Sequence, residues 1–214
     1  MIKCDVTKLC AVIDRQAQPR QGKDGHSFLS FGVKLPVSSR DGKSADVSIS
    51  VSVDGGCNQA SAFYTGRRVQ LSGILTPRKK GDTIYFNLRA GHVEFVRSSE
   101  ADAIEGEMHF LGKTGKDRPG KPAIDKRTDK KGQPFLTFAA YSSEKDGAGR
   151  EFLWIRFLDF APEGKDFVRP ETFIEVKGSL QLGFFNDKPD FGCLVKEIRL
   201  WELPSKPAGY GTEQ

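Results

Sequence analysis

The run Phe152-Leu153-Trp154-Ile155-Arg156-Phe157-Leu158-Asp159-Phe160 holds the side chains best suited to chemistry in this sequence. Read as a strand, it sends successive side chains to opposite faces. Leu153, Ile155 and Phe157 then form an ordinary core stripe. Phe152, Trp154, Arg156, Leu158 and Phe160 share the face that water should meet. Large apolar side chains grouped on a surface cost free energy and mark a place where something binds. Ring faces accept stacked nucleobases, and an interleaved Arg offers a cation to phosphate. The same pattern also fits a strand covered on both faces, by a helix or by a second subunit. On this run alone the two readings stand side by side.

Two neighbouring features bear on that choice. In the strand expected over 134–142, Phe135 and Tyr141 point with Thr137, opposite Leu136 and Phe138, as ligand contacts or as a second packing layer. The loop 113–131 carries Lys113, Lys116, Arg118, Lys121, Lys126, Arg127, Lys130 and Lys131 against Asp117, Asp125 and Asp129. That surplus of five positive charges equals the net charge of the whole chain, +5. Pro119, Gly120 and Pro122 keep the loop from becoming a helix. It reads as a phosphate clamp or as a solvated turn. Arg78-Lys79-Lys80 is a smaller version of the same choice, with the solvated turn favoured over the clamp.

Other chemistries find no support. His26, His92 and His109 have no Ser or Cys partner in a recognisable motif, and no Gly-rich phosphate loop precedes a Lys-Ser/Thr, so an enzyme is not expected. Cys4, Cys10, Cys57 and Cys193 form no C-x-x-C pair, so no metal or other cofactor is expected. Free thiols suit a reducing cytosol. The opening Met1-Ile2-Lys3-Cys4-Asp5 has no apolar signal-peptide core, and no run of 18 apolar residues suits a membrane. The expectation is a cytoplasmic, nucleoid-associated protein with neither a membrane nor a small molecule as partner.

Stepping outward to the elements that must hold these groups, 214 residues fit one large domain or two of about 100. Many short Val/Ile/Phe runs, with 23 Gly and 11 Pro, point to an all-β fold. The sequence is also written twice. Lys23-Asp24-Gly25-His26-Ser27-Phe28-Leu29-Ser30-Phe31 parallels Lys130-Lys131-Gly132-Gln133-Pro134-Phe135-Leu136-Thr137-Phe138, Ile13-Asp14-Arg15 echoes Ile124-Asp125-Lys126, and Val69-Gln70-Leu71-Ser72-Gly73-Ile74-Leu75 parallels Ile174-Glu175-Val176-Lys177-Gly178-Ser179-Leu180. Near-constant offsets over separate segments indicate tandem duplication.

In the first copy, strands are expected over 1–13, 27–35, 47–53, 67–75 and 83–96, with polar loop 15–25, turns 38–43 and 77–82, and an irregular or short helical crossing over 54–66. Segment 97–106 reads as a linker. The second copy has strands over 106–115, 134–142, 151–160, 172–182 and 190–201, with loop 116–132 and room for one or two helical turns over 161–171. Five strands with the crossing between the third and fourth is the order of an OB-fold barrel. The expectation is two tandem five-stranded OB-fold barrels, 1–97 and 106–203, and a disordered tail, 204–214. Gly73 and Gly178 fall mid-strand at matching places, where glycine permits the sharp coil of a small barrel.

Four motifs of the second copy, in order, resemble the bacterial single-stranded DNA-binding protein family: Leu111-Gly112-Lys113-Thr114-Gly115-Lys116-Asp117, Gly132-Gln133-Pro134-Phe135-Leu136-Thr137-Phe138, Trp154-Ile155-Arg156-Phe157-Leu158-Asp159-Phe160 and Ile174-Glu175-Val176-Lys177-Gly178-Ser179-Leu180. The resemblance covers roughly 106–201. It implies a protein that coats single-stranded DNA in replication, recombination or repair, with Trp154 and Phe160 as stacking residues and Tyr141 near another stacking position. It also implies a homodimer. The first copy offers Ser48, Ser50 and Ser52 where the second offers Trp154, Arg156 and Leu158, so it lacks the family's stacking pattern. The ending Tyr210-Gly211-Thr212-Glu213-Gln214 lacks the family's acidic, Phe-terminated tip. Stacking does not read the 2′-hydroxyl, so RNA stays open beside DNA. A protein-assembly module that buries the aromatic face against a partner is the alternative.

Overall fold

The computed structural model describes residues 1–38, 42–146, 149–185 and 188–202, without the side chains at 145, 146, 185 and 188. The expected tail 204–214 and the middle of the 38–43 turn lie outside the described residues. β1 (Ile2–Gln21), β2 (Ser27–Ser38), β3 (Ser44–Asp54), β4 (Arg68–Lys80) and β5 (Thr83–Phe95) close in the order β1-β2-β3-β5-β4-β1. Only the β3–β5 pair is parallel among them. A 3-10 turn, Cys57–Ala62, makes the crossing from β3 to β4.

The second copy repeats the pattern. β6 (Ala103–Thr114), β8 (Pro134–Asp146), β9 (Gly149–Asp159), β10 (Phe173–Phe185) and β11 (Lys188–Leu200) close in the order β6-β8-β9-β11-β10-β6, with β9 and β11 parallel. β7 (Ile124–Thr128) pairs with β8 as an edge strand. The fold is all-β, two tandem OB-fold barrels, with the first strand of the second copy divided into β6 and β7.

Hydrophobic alternation fixes each barrel. Along β3, Val47, Ile49 and Val51 are buried while Ser48 is exposed. Along β2, Leu29, Phe31, Val33 and Leu35 point inward. The repeat holds in register: Phe31 faces Val51, which pairs with Leu88, and Phe138 faces Phe157, which pairs with Cys193. The ladders of both copies also shift register at the matching glycines, Gly73 and Gly178. A Cβ there would drive into the carbonyl oxygen of Arg89 or of Leu194, so the close approach of the coiled strands requires glycine.

The two barrels are joined along one ladder, where β1 pairs antiparallel with β6 from Ile2 opposite Phe110 to Cys10 opposite Ala103. Equivalent strands paired antiparallel relate the barrels by an approximate two-fold axis. Phe86 and Phe191, each two residues before the matching pair Leu88 and Cys193, meet across it with ring centroids 5.5 Å apart. The buried apolar side chains of both barrels form one cluster. Asp5 lies opposite Glu107, a like-charge pair that would repel; Lys196 Nζ, 3.1 Å from Glu107, offsets it. Burial pushes the thiols of Cys4 and Cys193 up to about 12, which keeps them as unreactive thiols.

Strand ends differ from the sequence expectation in several places, β8 for instance running to Asp146, and four of the differences have a visible physical reason. The polar segment 15–25 is strand as far as Gln21, because its backbone pairs with β2 while Ala17 is buried and donates to Phe63 O at 3.0 Å. β4 passes through Pro77 to Lys80; β1 stops pairing at Leu75, so the missing proline N–H meets a free edge. β6 starts at Ala103, inside the expected linker, because β1 supplies it a partner. The loop 116–132 contains β7, whose charged side chains suit an edge strand.

On the outer face of the second barrel, Glu175 accepts hydrogen bonds from Arg199 Nε at 2.6 Å and His109 Nε2 at 2.7 Å. The Arg199 hydrogen bond, with His109 second, holds its carboxyl at about 2 against an ordinary 4.5. A depressed carboxyl stabilises the fold above its unfolded value, and that contribution fades as pH falls through the folded one. The stability difference between wild type and Glu175→Gln is expected to be full at pH 6 and to shrink between about pH 4.5 and 2, read from urea midpoints at each pH. A difference constant over that range would remove Glu175 from acid sensitivity.

Candidate nucleic-acid interface

The face in question is set by what lies beneath it. Leu153, Ile155 and Phe157 of β9 are buried, and Phe157 stacks on Phe138 at 5.1 Å and meets Phe110 edge-on at 4.9 Å. Such ring pairs add about 0.5–1.5 kcal/mol beyond area burial. With that side fixed, the strand period turns Phe152, Trp154 and Arg156 outward. Trp154 is 45% exposed and Phe160 54%; the chain's own backbone does not cover them.

β8 supplies the second row, with Tyr141 opposite Trp154 and Ser143 opposite Phe152. The Tyr141 ring lies 4.9 Å from Trp154 and 5.5 Å from Phe152. Phe135 lies 5.6 Å from Phe160. Rings therefore gather at two stations six residues apart, at Trp154 on β9 and at Phe160 just past its end, about 20 Å at strand rise, with Arg156 and Leu158 between. On the first barrel, register places Ser48, Ser50 and Ser52 at the matching positions, and Arg15 Nη2 reaches Ser50 Oγ at 3.5 Å.

One wall rises where β6 ends. Gly115 donates to Ala139 O at 2.9 Å, and a side chain in its place would meet the indole of Trp154. The chain then leaves the sheet, turns between Arg118 and Lys121 through paired backbone hydrogen bonds, and is tied by Asp117, which accepts from Ala123 N at 2.8 Å. It returns as β7. The β10–β11 hairpin stands opposite. Together they enclose a groove of about 1910 Å³, lined among the described residues by seven cationic and four acidic side chains.

The sequence candidates divide on this geometry. Phe135, Tyr141, Phe152, Trp154, Arg156 and Phe160 all line the groove, joined by Lys116, Arg118, Lys121, Arg127 and Lys130. Lys113, Lys126 and Lys131 are not among its lining. Lys113 pairs with Glu171 at 3.4 Å and sits over the Phe173 ring; Lys126 pairs with Asp166 at 3.6 Å behind β7. Arg127 pairs with Asp125 at 2.7 Å, and Arg156 is already ion-paired with Asp190. Lys116, Arg118, Lys121 and Lys130 have no carboxylate partner among the described residues.

The groove also takes residues that were not singled out from the sequence as contacts, three of which bear on its charge and shape. Asp190 and Phe184 come from the β10–β11 hairpin, and Lys79 comes from the other barrel. Lys79 was visible inside a basic run, whereas nothing local marked Asp190 or Phe184.

The station at Phe160 rests on a buried tether. Asp159 is 1% exposed and accepts from Ala161 N at 2.9 Å and Lys165 Nζ at 2.7 Å. Thr114, also buried, accepts from Thr172 N at 2.8 Å and donates to Arg169 O at 2.6 Å. The segment after Phe160 is thereby held by turns alone, without a helix.

No protein-family model and no curated protein matches this chain. Among solved structures, the single-stranded DNA-binding protein from Thermus aquaticus is similar over 98% of this chain and 97% of its own, at 13% identity and a TM-score of 0.48. A mitochondrial single-stranded DNA-binding protein from S. cerevisiae is similar over 46% of this chain and 96% of its own, at 16% identity and a TM-score of 0.35. A small single-stranded DNA-binding protein from Streptomyces coelicolor is similar over 44% of this chain and 96% of its own, at 12% identity and a TM-score of 0.35.

Removing one partner of a buried ion pair strands the other charge and costs roughly 3 kcal/mol or more. Lys165→Met is therefore expected to lower unfolding stability by about that amount, measured by urea denaturation. A loss below about 1 kcal/mol, the scale of an exposed pair, would mean that Lys165 does not anchor this segment.

Proposed function

We propose that this chain binds single-stranded DNA with little sequence preference, through the groove of the second barrel. One observation carries the reading: a row of exposed rings, Phe152, Trp154 and Phe160, lies in a groove whose described lining is richer in cations than in carboxylates. Bases stack on Trp154 with Tyr141 and Phe152 beside it, and on Phe160 with Phe135. Lys116, Arg118, Lys121 and Lys130 neutralise phosphates. Every base has a π-face, so this mode tolerates any sequence. The setting it suits is single strands exposed in replication, recombination or repair.

Arg156 has a more particular part. Its guanidinium is held by Asp190, so an incoming phosphate competes with a carboxylate for the same donors. Asp190 thus weakens binding twice, by occupying Arg156 and by placing a negative charge beside a polyanion.

Trp154→Ala is expected to cost roughly 1–3 kcal/mol of binding to oligo(dT), read by anisotropy of a labelled strand, while Ser50→Ala on the first barrel leaves affinity unchanged. Equal losses from the two would place binding elsewhere, and unchanged affinity in Trp154→Ala would remove that residue from the site. An oligo(U) competitor run beside oligo(dT) separates RNA from DNA.

Asp190→Asn is expected to tighten binding and to steepen the log–log salt dependence by about 0.7, the increment for one further phosphate on a single strand. Weaker binding by this variant would mean that Asp190 serves to aim Arg156 rather than to compete for it.

A further inference from the structure

The groove of the second barrel is not built by the second barrel alone. β4 packs beside β9 across the approximate two-fold, and β2 packs beside β10. Lys79 from β4 and Ser38 from β2 thereby reach the groove lining, although both belong to the first barrel.

The β4–β5 hairpin places Lys79 by alternation. Its strands pair to the tip, Lys80 opposite Thr83, around a tight turn in which Gly81 takes a φ of 59° that favours glycine. Lys79 lies opposite Ile84, which packs on the core, whereas Arg78 and Tyr85 form a pair on the other side of the hairpin and are exposed. Of the three basic residues 78–80, the middle one is turned toward the groove. Among the described residues no carboxylate lies within ion-pair distance of Lys79. The matching position on the second barrel's own hairpin, 105 residues on, is the apolar Phe184.

We propose that Lys79 is a phosphate-binding residue of the second barrel's groove, so that the nucleic-acid site is composite and the strand leaves the aromatic platform over the first barrel's β4–β5 hairpin. The inference rests on the functional reading above. It assigns the first barrel a part in binding through one hairpin, while its own serine face takes none. A composite site also suits the β1–β6 ladder, because a groove shared by two barrels requires their relative placement to be fixed.

The test compares Lys79→Gln with Lys177→Gln, which removes the same charge from the exposed outer face of β10. Both are titrated with labelled oligo(dT) from 50 to 200 mM salt. Lys79→Gln is expected to flatten the log–log slope by about 0.7 and to weaken binding roughly 8-fold at the lowest salt and about 3-fold at the highest, as loss of one phosphate contact dictates. Lys79→Arg, which keeps the charge, should hold the wild-type slope. Lys177→Gln should match wild type. If Lys79→Gln binds like wild type while Trp154→Ala is impaired, the composite site is wrong and the single-barrel reading stands. If both glutamine variants weaken equally, only net charge is being sensed and the assignment falls. If the wild-type chain fails to bind oligo(dT), the functional reading itself is overturned, and this inference with it.

Discussion

The interior packing of β9 is the constraint on which the site depends. Phe157 is locked between Phe138 and Phe110, with Ile155 and Leu153 continuing the same buried stripe. A strand so fixed has no freedom to choose what it shows outside. Trp154 and Arg156 are exposed because their neighbours cannot be. A slip of one residue would bury a guanidinium and an indole N–H and put three apolar side chains in water. The register is thus enforced from within, and the outer face is rigid before any ligand arrives. Rigid rings on a sheet lose little freedom on binding, which makes each stacking contact more productive than the same ring on a loop.

The second consequence of the architecture is asymmetry within a duplicated fold. Both copies close the same barrel, kink at the same glycine and pair the same positions, yet one face carries serines and the other aromatics. The difference in the first strand matters as much. In the first copy β1 runs unbroken into its pairing with β2, and Arg15 lies toward Ser50. In the second, the strand is interrupted after Thr114 and a basic excursion rises before β7 resumes. That insertion supplies a wall and cations without disturbing the barrel, since β7 recovers the lost pairing with β8. The β1–β6 ladder then binds the plain copy to the elaborated one and carries its hairpins to the groove.

Much of this was legible in the sequence, for physical reasons. Period-two alternation in 47–53 and 152–160 fixes which side chains are buried, because a half-buried strand permits no other order. The duplication gave the barrel count, but the echo of Ile13-Asp14-Arg15 in Ile124-Asp125-Lys126 reads only as a mark of the repeat, and β7 inside the basic loop was missed. What stayed hidden depends on long-range pairing. Polar residues 15–21 read as loop because a strand whose edges are covered by distant chain carries no local signal. Pro77 read as a turn because proline's tolerance of a free edge is visible only once the partner strand is known to stop. Asp190 and Phe184 entered the site, and Lys113, Lys126 and Lys131 stayed outside its lining, through packing that neighbouring residues do not encode.

The central claim is that a nucleic-acid strand lies on the ring of Trp154, and the indole itself reports on it. A Trp201→Phe chain leaves Trp154 as the remaining tryptophan, since the sequence has two. Titrated with oligo(dT), its emission should be quenched to a saturating limit, and added salt should restore it as phosphates are released. Emission that stays constant while the strand demonstrably binds would show that the ring is not in contact with DNA and would contradict the account.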